Sequence, residues 1–450
     1  MKKKIKRLFI ANRGEIALRI IKACKGLNIE TVIGVSEADR DSLPAKLADQ
    51  TICIGPAQVD SSYLRAELLI TAAKGAKCDA VHPGYGFLAE QASFSRLCAE
   101  NDLIFVGPNA KSIEVMGDKL RSIRLAKKAG VLTVPSTRAI QSKDRLMEAV
   151  KQLGYPCLLK ASSGGGGRGM RVVHSEQDLV SAYESAKQEA FTAFGNNTVY
   201  LEKYIENAKH IEIQIIADQY GNYAHLYERE CSVQRRYQKL IEEAPSSALD
   251  NLTRNKMIDA ALRVAKKVQY VNVGTVEFIY DLDTQDFYFL EMNTRIQVEH
   301  PVTENITGID IVKEQIKISS GEVLNEKINK ICIDGHSIEC RINAEDPDNN
   351  FIPTPGKITR WIPPSGKNIR LDSHCYEGYS IPPYYDSLMG KLIVHANTRE
   401  QAINKMLDAL NGFVVNGPKT TISLISKILS SDDFKESKIT TNWLEKSNLI

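Results

Sequence analysis

No run in this 450-residue chain approaches the roughly 18 consecutive apolar residues of a membrane-spanning helix, so no span is expected. The opening Met-Lys-Lys-Lys-Ile-Lys-Arg suggests a signal peptide, but the apolar run behind it ends after Leu8 to Ala11, at Asn12-Arg13-Gly14-Glu15. That run is too short for a signal core and reads as a first strand. The nine cysteines are odd in number and nowhere spaced as Cys-x-x-Cys, which argues against both a disulfide framework and zinc. The net charge is only +3, with no basic block beyond the first seven residues, so a nucleic-acid partner is not suggested. These absences make the cytoplasm the expected compartment. Internal repeats and long low-complexity segments are missing too. What remains is a composition of 43% hydrophobic and 25% charged residues, that of a globular protein long enough for several packed units.

Short apolar runs at Leu8 to Ala11, Thr31 to Val35, Thr51 to Ile54, Ala80 to His82 and Ile104 to Val106 alternate with helical segments such as Glu15 to Cys24 and Tyr63 to Lys74. This is a βαβ series and predicts a parallel sheet. Asn12 to Glu15 and His82 to Gly86 follow strands, at the carboxyl edge where open α/β sheets bind ligands. A helix over Asp118 to Ala129 leads to a second unit, with strands ending at Lys160, over Arg171 to His174 and over Thr198 to Glu202, and a helix over Glu176 to Ala190. Further on, the pattern predicts a helix over Val312 to Ser320 and strands over Ser337 to Asn343, Gly356 to Trp361 and Leu388 to His395, before a mostly helical end.

Two segments carry chemistry. The glycine run Gly164 to Gly167 with Gly169 formally fits a dinucleotide fingerprint, but a strand rather than a helix follows it, and no Walker A lysine is present. It reads as a hairpin flap whose N–H groups close over phosphates, with Lys160 at its base. The second segment is a hairpin of Gly274 to Tyr280 and Phe287 to Glu291 joined by turn formers. Centred on Thr284, it sets Glu277 opposite Glu291. Two facing carboxylates and Asn293 make an oxygen site for Mg²⁺ or Mn²⁺ that also holds phosphates. Glu291, Asn293, Arg295, Gln297 and Glu299 stand at every second position, so as an extended strand they share one polar face, which reads as the wall of a site with Glu299 beside Arg295 and Gln297.

A phosphate flap with a lysine before it and an acid, acid, asparagine set behind it resembles the ATP-grasp superfamily. Seven motifs then stand in the order found in biotin carboxylases: Ala-Asn-Arg-Gly-Glu-Ile-Ala, His-Pro-Gly-Tyr-Gly-Phe-Leu, Met-Gly-Asp-Lys, Lys-Ala-Ser-x-Gly-Gly-Gly-Gly-Arg-Gly-Met, Gln-Arg-Arg-x-Gln-Lys, Glu-Met-Asn-Thr-Arg-Ile-Gln-Val-Glu-His-Pro-Val-Thr-Glu and Glu-Cys-Arg-Ile-Asn-Ala-Glu-Asp-Pro. They span nearly the whole chain. The resemblance implies an α/β ATP-grasp fold in three parts: an N-terminal Rossmann-like domain (1–117), an ATP-grasp domain (118–330) with a mobile lid at about 133–204, and a C-terminal α+β domain (331–450).

It also implies the reaction, in which ATP, bicarbonate and carrier-bound biotin give ADP, phosphate and carboxybiotin through carboxyphosphate. The family's ATP contacts fall on Lys119, Lys160, Gly165, Gly166, Gly167, Glu202, Lys203, Tyr204, Ile205, His210, Gln234 and Tyr237. Its metal ligands, for two ions, fall on Glu277, Glu291 and Asn293. Bicarbonate and biotin would meet Lys239, Arg295, Gln297, Val298, Arg341 and Tyr85, with Glu299 as general base and Arg341 stabilising the biotin enolate.

Two positions depart from the family pattern. Ser163 replaces a fifth flap glycine, and Tyr237 stands for the usual histidine of Gln-Arg-Arg-His-Gln-Lys. Lys22, Gly26 and Lys367 occupy positions of a family dimer contact, so a homodimer is expected. The chain contains no Ala-Met-Lys-Met biotin-attachment sequence and no carboxyltransferase. A separate biotin carboxyl carrier protein and carboxyltransferase subunits are therefore the expected partners, with acetyl-CoA carboxylase the first parent complex and propionyl-CoA or pyruvate carboxylases the alternatives. The rival readings are an ATP-grasp ligase for another carboxylate, which would turn over ATP without bicarbonate, and a non-catalytic paralogue.

Overall fold

A computed structural model describes residues 4–140, 142–162 and 170–449. The flap glycines Gly165, Gly166 and Gly167, and Ser163, lie outside the described residues.

The N-terminal sheet has five parallel strands, in the spatial order Gln50–Cys53, Glu30–Val35, Arg7–Ile10, Ala80–His82, Ile104–Phe105. Successive residues of the first strand feed opposite faces. Leu8 and Ile10 pack with Ile16, Ile20 and Ile33, whereas Phe9 packs with Val32, Val81 and Phe94. Both faces are covered, as a parallel sheet requires. Strand order reverses between Arg7–Ile10 and Ala80–His82, so the loops after these two strands flank the switch-point crevice. Asn12 stitches them together, its Nδ2 donating to the carbonyls of Pro83 (2.6 Å) and Tyr85 (2.7 Å). Gly84 is required here. Its φ is +62°, and a Cβ would lie 2.9 Å from Asn12 Nδ2.

The second unit is a three-stranded sheet, Arg171–Val173, Cys157–Ala161, Val199–Lys203, backed by helices Lys143–Leu153 and Glu176–Phe194. Cys157 pairs antiparallel with Val173, the hairpin predicted for the flap. The largest sheet is antiparallel and eight-stranded: Phe287–Asn293, Asn272–Asp281, Ala208–Ala217, Tyr223–Arg235, Gln238–Ala244, His336–Asn343, Leu388–Ala396, Ile369–Ser373. It runs straight across residue 330, because Ile241 pairs with Cys340 and Glu242 with Glu339. The single strand expected over Gly356 to Trp361 is two short ones, Gly356–Lys357 and Arg360–Ile362, which pair with different partners.

At the C-terminal end, Arg399 begins a helix (Arg399–Asn411) and clamps Glu243 with Nε to Oε2 at 2.6 Å and Nη2 to Oε1 at 3.1 Å, while His336 Nε2 lies 2.8 Å from the same carboxylate. Burial alone would push Glu243 up, but His336 and Arg399 bring its carboxyl down to about 2. A carboxyl depressed on folding stabilises the fold above its unfolded value and loses that contribution as pH falls. Stability should therefore drop between about pH 4.5 and 2, and Arg399→Met should both flatten that slope and cost about 3 kcal/mol at pH 7, measured by urea unfolding. An unchanged slope would show that Glu243 does not carry the linkage.

Candidate active site

The strand Ala208–Ala217 alternates His210, Glu212 and Gln214 with Ile211, Ile213 and Ile215, and every one of these side chains is buried. A polar face inside a protein needs partners. Arg229, fully buried on the neighbouring strand, supplies them. Its Nε bonds Glu212 Oε1, Nη1 donates to Gln214 (2.7 Å) and Thr303 (2.9 Å), and Nη2 donates to Thr275 (3.1 Å). Glu212 is thereby fixed, and its other oxygen accepts from Lys239 Nζ at 2.7 Å. Lys239 also donates to Glu299 (2.6 Å) and Glu277 (3.1 Å). Burial disfavours the ammonium, yet the three carboxylates raise it well above an ordinary lysine.

Glu299 reaches Lys239 by a route that alternation did not foresee. The strand stops at Asn293, the chain turns, and Glu299 is the N-cap of the helix His300–Thr307. Pro301 suits the first turn, where its missing N–H is not needed. The Glu299 side chain makes no capping bond and points into the site, with Oε2 accepting from Arg341 Nη2 at 2.9 Å. Arg341 is held from behind by Glu242, whose Oε1 accepts from Nε at 2.6 Å. Burial pushes Glu299 up, but Lys239, Arg341 and Arg229 overcome it and keep the carboxyl well below the usual range. Glu242 is pushed up to about 7, because its own burial outweighs the single guanidinium.

In the hairpin, Glu277 pairs with Glu291 as expected, through a bulge between Glu277 and Phe278 that shifts the register set nearer the turn, where Tyr280 pairs with Phe287. Glu277 Oε1 accepts from Asn293 (2.8 Å), Gln297 (3.0 Å) and Lys239, and Oε2 lies 3.2 Å from His210 Nε2. Glu291 instead leans towards Lys119, 3.5 Å away. The donors are two facing carboxylates and an amide oxygen, which suits a hard divalent cation. His210, Glu212 and Glu277 also bring ligand atoms within 4.8 Å of one another, although Arg229 and Lys239 already hold Glu212. Arg295 spans Glu90 (2.9 Å), Gln297 (2.7 Å) and Asn293 (3.2 Å), which fans its guanidinium across the pocket mouth.

The other expected residues fall in three places. Lys160 pairs with Glu202 at 2.5 Å inside the three-stranded unit, and Lys203 and Tyr204 fix the exit from that unit through backbone bonds to Pro135 and Pro156. Ile205 follows directly. His210 Nδ1 meets Gln234 Nε2 at 3.0 Å, which ties a proposed nucleotide contact to the Glu277 cluster. Tyr237 stands apart. It and Arg236 form a two-residue hairpin tip with φ of +64° and +47°, a conformation that usually selects Asn-Gly, and the ring is 39% exposed. On the N-terminal side, the Tyr85 hydroxyl bonds Glu15, and the Val298 carbonyl accepts from Lys391 Nζ at 2.7 Å.

Sequence reasoning missed Glu90, Glu212, Arg229, Glu242 and Lys391, and marked Glu15 only as part of the ligand-edge loop after the first strand. The alternation His210, Glu212, Gln214 was a readable signal for Glu212. The others depend on which strands become neighbours.

Residues 4–113 match the family described as Biotin carboxylase, N-terminal domain, 118–327 the Carbamoyl-phosphate synthase L chain, ATP binding domain, and 339–446 the Biotin carboxylase C-terminal domain. Biotin carboxylase 1 of Bacillus subtilis is 51% identical over 447 residues, covering 99% of each chain. The crystal structure of a biotin carboxylase β,γ-ATP complex from Campylobacter jejuni superposes with a TM-score of 0.96 at 47% identity, covering 99% of both chains. The biotin carboxylase domain dimer of Hydrogenobacter thermophilus 2-oxoglutarate carboxylase, solved with MgADP, ADP and bicarbonate, gives 0.95 at 49% identity, covering 98% of this chain and 97% of that one.

Because Lys239 and Arg341 hold Glu299 down, Arg341→Gln should move its titration upward. The check is ¹³C NMR of side-chain-labelled glutamate, with Glu299→Gln to assign the resonance. A Glu299 that titrates in the same place with and without Arg341 would mean that the guanidinium does not set its charge.

Proposed function

The chain belongs to the biotin carboxylase family of ATP-dependent ligases, and on that footing we propose how its residues divide the carboxylation of carrier-borne biotin. The observation that carries the reading is the junction of Glu299 with Lys239 and Arg341, a carboxylate between two cations. Bicarbonate enters beside Lys239, Arg295 and Gln297 and attacks the γ-phosphorus of ATP while Glu299 takes its proton. As it stands, Glu299 is too weak a base, since both cations favour its ionised form. An incoming anion competes for those cations and lifts Glu299 towards the working pH. Lys239 and Arg295 then face the charge that gathers on carboxyphosphate. ADP leaves as carboxyphosphate forms. When carboxyphosphate then releases its phosphate, that phosphate takes the biotin N1 proton and N1 bonds the freed carboxyl carbon, while Arg341 bonds the enolate oxygen and Glu242 behind it keeps the guanidinium aimed.

Lys119, Lys160, His210, Gln234 and the segment Glu202 to Ile205 hold the nucleotide, with Tyr237 in place of the family's histidine. Glu277, Glu291 and Asn293 would hold Mg²⁺ or Mn²⁺, two ions in all, which neutralise the phosphates when bound. Among the described residues no helix is long and apolar enough to cross a membrane. Lys22 lines an open cleft of about 420 Å³ with Arg19, Glu304, Asp310 and Arg370, the face assigned to a homodimer contact. The partners are a biotin carboxyl carrier protein and carboxyltransferase subunits of an acetyl-CoA carboxylase. The likeness to a 2-oxoglutarate carboxylase domain makes a different acceptor the second reading.

Purified protein with Mg-ATP should release ADP only when bicarbonate is present and faster with free biotin, and Glu299→Gln should lower that rate by about 10²- to 10⁴-fold. Turnover indifferent to bicarbonate would reassign the substrate. With carrier and carboxyltransferase added, ¹⁴C from bicarbonate should reach acetyl-CoA. Label passing to pyruvate, 2-oxoglutarate or propionyl-CoA instead would move the chain to that complex.

A further inference from the structure

Lys391 is wholly buried on the strand Leu388–Ala396, in register with Arg341 on one side and Asp372 on the other. Its ammonium does not enter the pocket. It donates to the carbonyl of Val298 at 2.7 Å and lies 3.2 Å from Glu15 Oε1. Glu15 opens the first helix at the switch point of the N-terminal sheet, and the same Oε1 accepts the hydroxyl proton of Tyr85, while Oε2 has no hydrogen-bond partner among the described residues. One chain of contacts therefore links the loop beside Glu299, the C-terminal sheet and the N-terminal crevice, in the order Val298, Lys391, Glu15, Tyr85. None of the contacts is exposed, and breaking any of them strands a buried polar group.

We propose that Lys391 and Glu15 are positioning residues for the two small substrates, with Lys391 setting the Val298 peptide beside bicarbonate and Glu15 fixing the direction of the Tyr85 hydroxyl beside biotin. A phenol that donates its only proton to a buried carboxylate presents lone pairs to the other side. The group facing it must then be a donor, which in biotin is a ureido N–H. Glu15 thus makes Tyr85 an acceptor, and Lys391, 3.2 Å from the same Oε1, keeps that oxygen an acceptor although burial pushes the Glu15 carboxyl up. Tyr63, a fully buried tyrosine of the same domain that also bonds an acid, gives its hydroxyl to Asp39 (2.6 Å) and accepts from the Ser36 N–H, so its lone pairs are engaged in the scaffold. Among the described residues, no protein donor is recorded for the Tyr85 oxygen.

This inference rests on the carboxylase reading above, and the wild-type protein separates the two. If the wild type shows no biotin-stimulated ADP release, the reading itself fails. Given an active wild type, Glu15→Gln should raise KM for free biotin about tenfold, with KM for ATP within about twofold of wild type, because misdirected contacts weaken one substrate and not the other. Tyr85→Phe should give a similar rise, and the double variant no more than either single one, since the two residues act as a unit. Lys391→Met should raise KM for bicarbonate and biotin together, and Lys391→Arg should recover part of both. If Lys391→Met does not fold, the Glu15 and Tyr85 cycle still decides the matter. Additive effects in that cycle, or variants whose thermal stability falls while both KM values stay put, would reduce the chain to scaffolding and overturn the proposal.

Discussion

Everything at this site depends on keeping one ammonium charged inside protein. Lys239 touches Glu212, Glu277 and Glu299, and each of those carboxylates is buried. Three acids around one lysine would repel one another were they not held by other donors. Arg229 therefore takes Glu212, Arg341 takes Glu299, and Asn293 and Gln297 donate to Glu277. The result is alternating charge laid across strands that belong to one sheet. Such an arrangement contributes little net stability, because desolvation offsets most of the attraction. What it provides is direction: each side chain has one place where its charge is met.

That constraint explains why the large sheet ignores the boundary near residue 330. Arg341 must face Glu299 from one side and Glu242 from the other, and only a strand paired to Gln238–Ala244 can do so. Glu242 and Glu339 are cross-strand neighbours, both buried and both raised by burial. Among the described residues neither Glu339 oxygen has a hydrogen-bond partner. Burial there disfavours a second negative charge behind Arg341, so the guanidinium keeps its attraction for whatever oxygen develops in front of it.

Much of this was legible in the residues. The βαβ pattern of the first hundred residues gave the parallel sheet, and the turn formers at Asp281 to Asp286 placed the hairpin, with a bulge between Glu277 and Phe278 completing the pairing of Glu277 with Glu291. Alternation over Glu291 to Glu299 put Asn293, Arg295 and Gln297 together, as the structure does, but misplaced Glu299. A strand that carried Glu299 onward would have aimed it with Arg295, whereas the turn before His300 swings it towards Lys239. Pro301 was the local sign that a helix begins there. Partners from distant strands had no such sign. Nothing near Arg229 or Lys391 in the chain announces that Glu212 or Val298 will be its neighbour, because long-range pairing decides it.

The architecture also separates two tasks. Lys239, Glu299, Arg341 and Glu277 are assembled by neighbouring strands of one sheet and the helix cap beside them, without any contribution from the three-stranded unit that carries Lys160 and Glu202. The cluster proposed for bicarbonate is thus assembled apart from that unit, which has a core of its own with Leu146, Leu159, Leu179 and Leu201 at its centre. A unit with its own core can move as a body without exposing apolar surface. In the proposed reaction Glu299 stays paired, and weak as a base, until an anion arrives between its two cations.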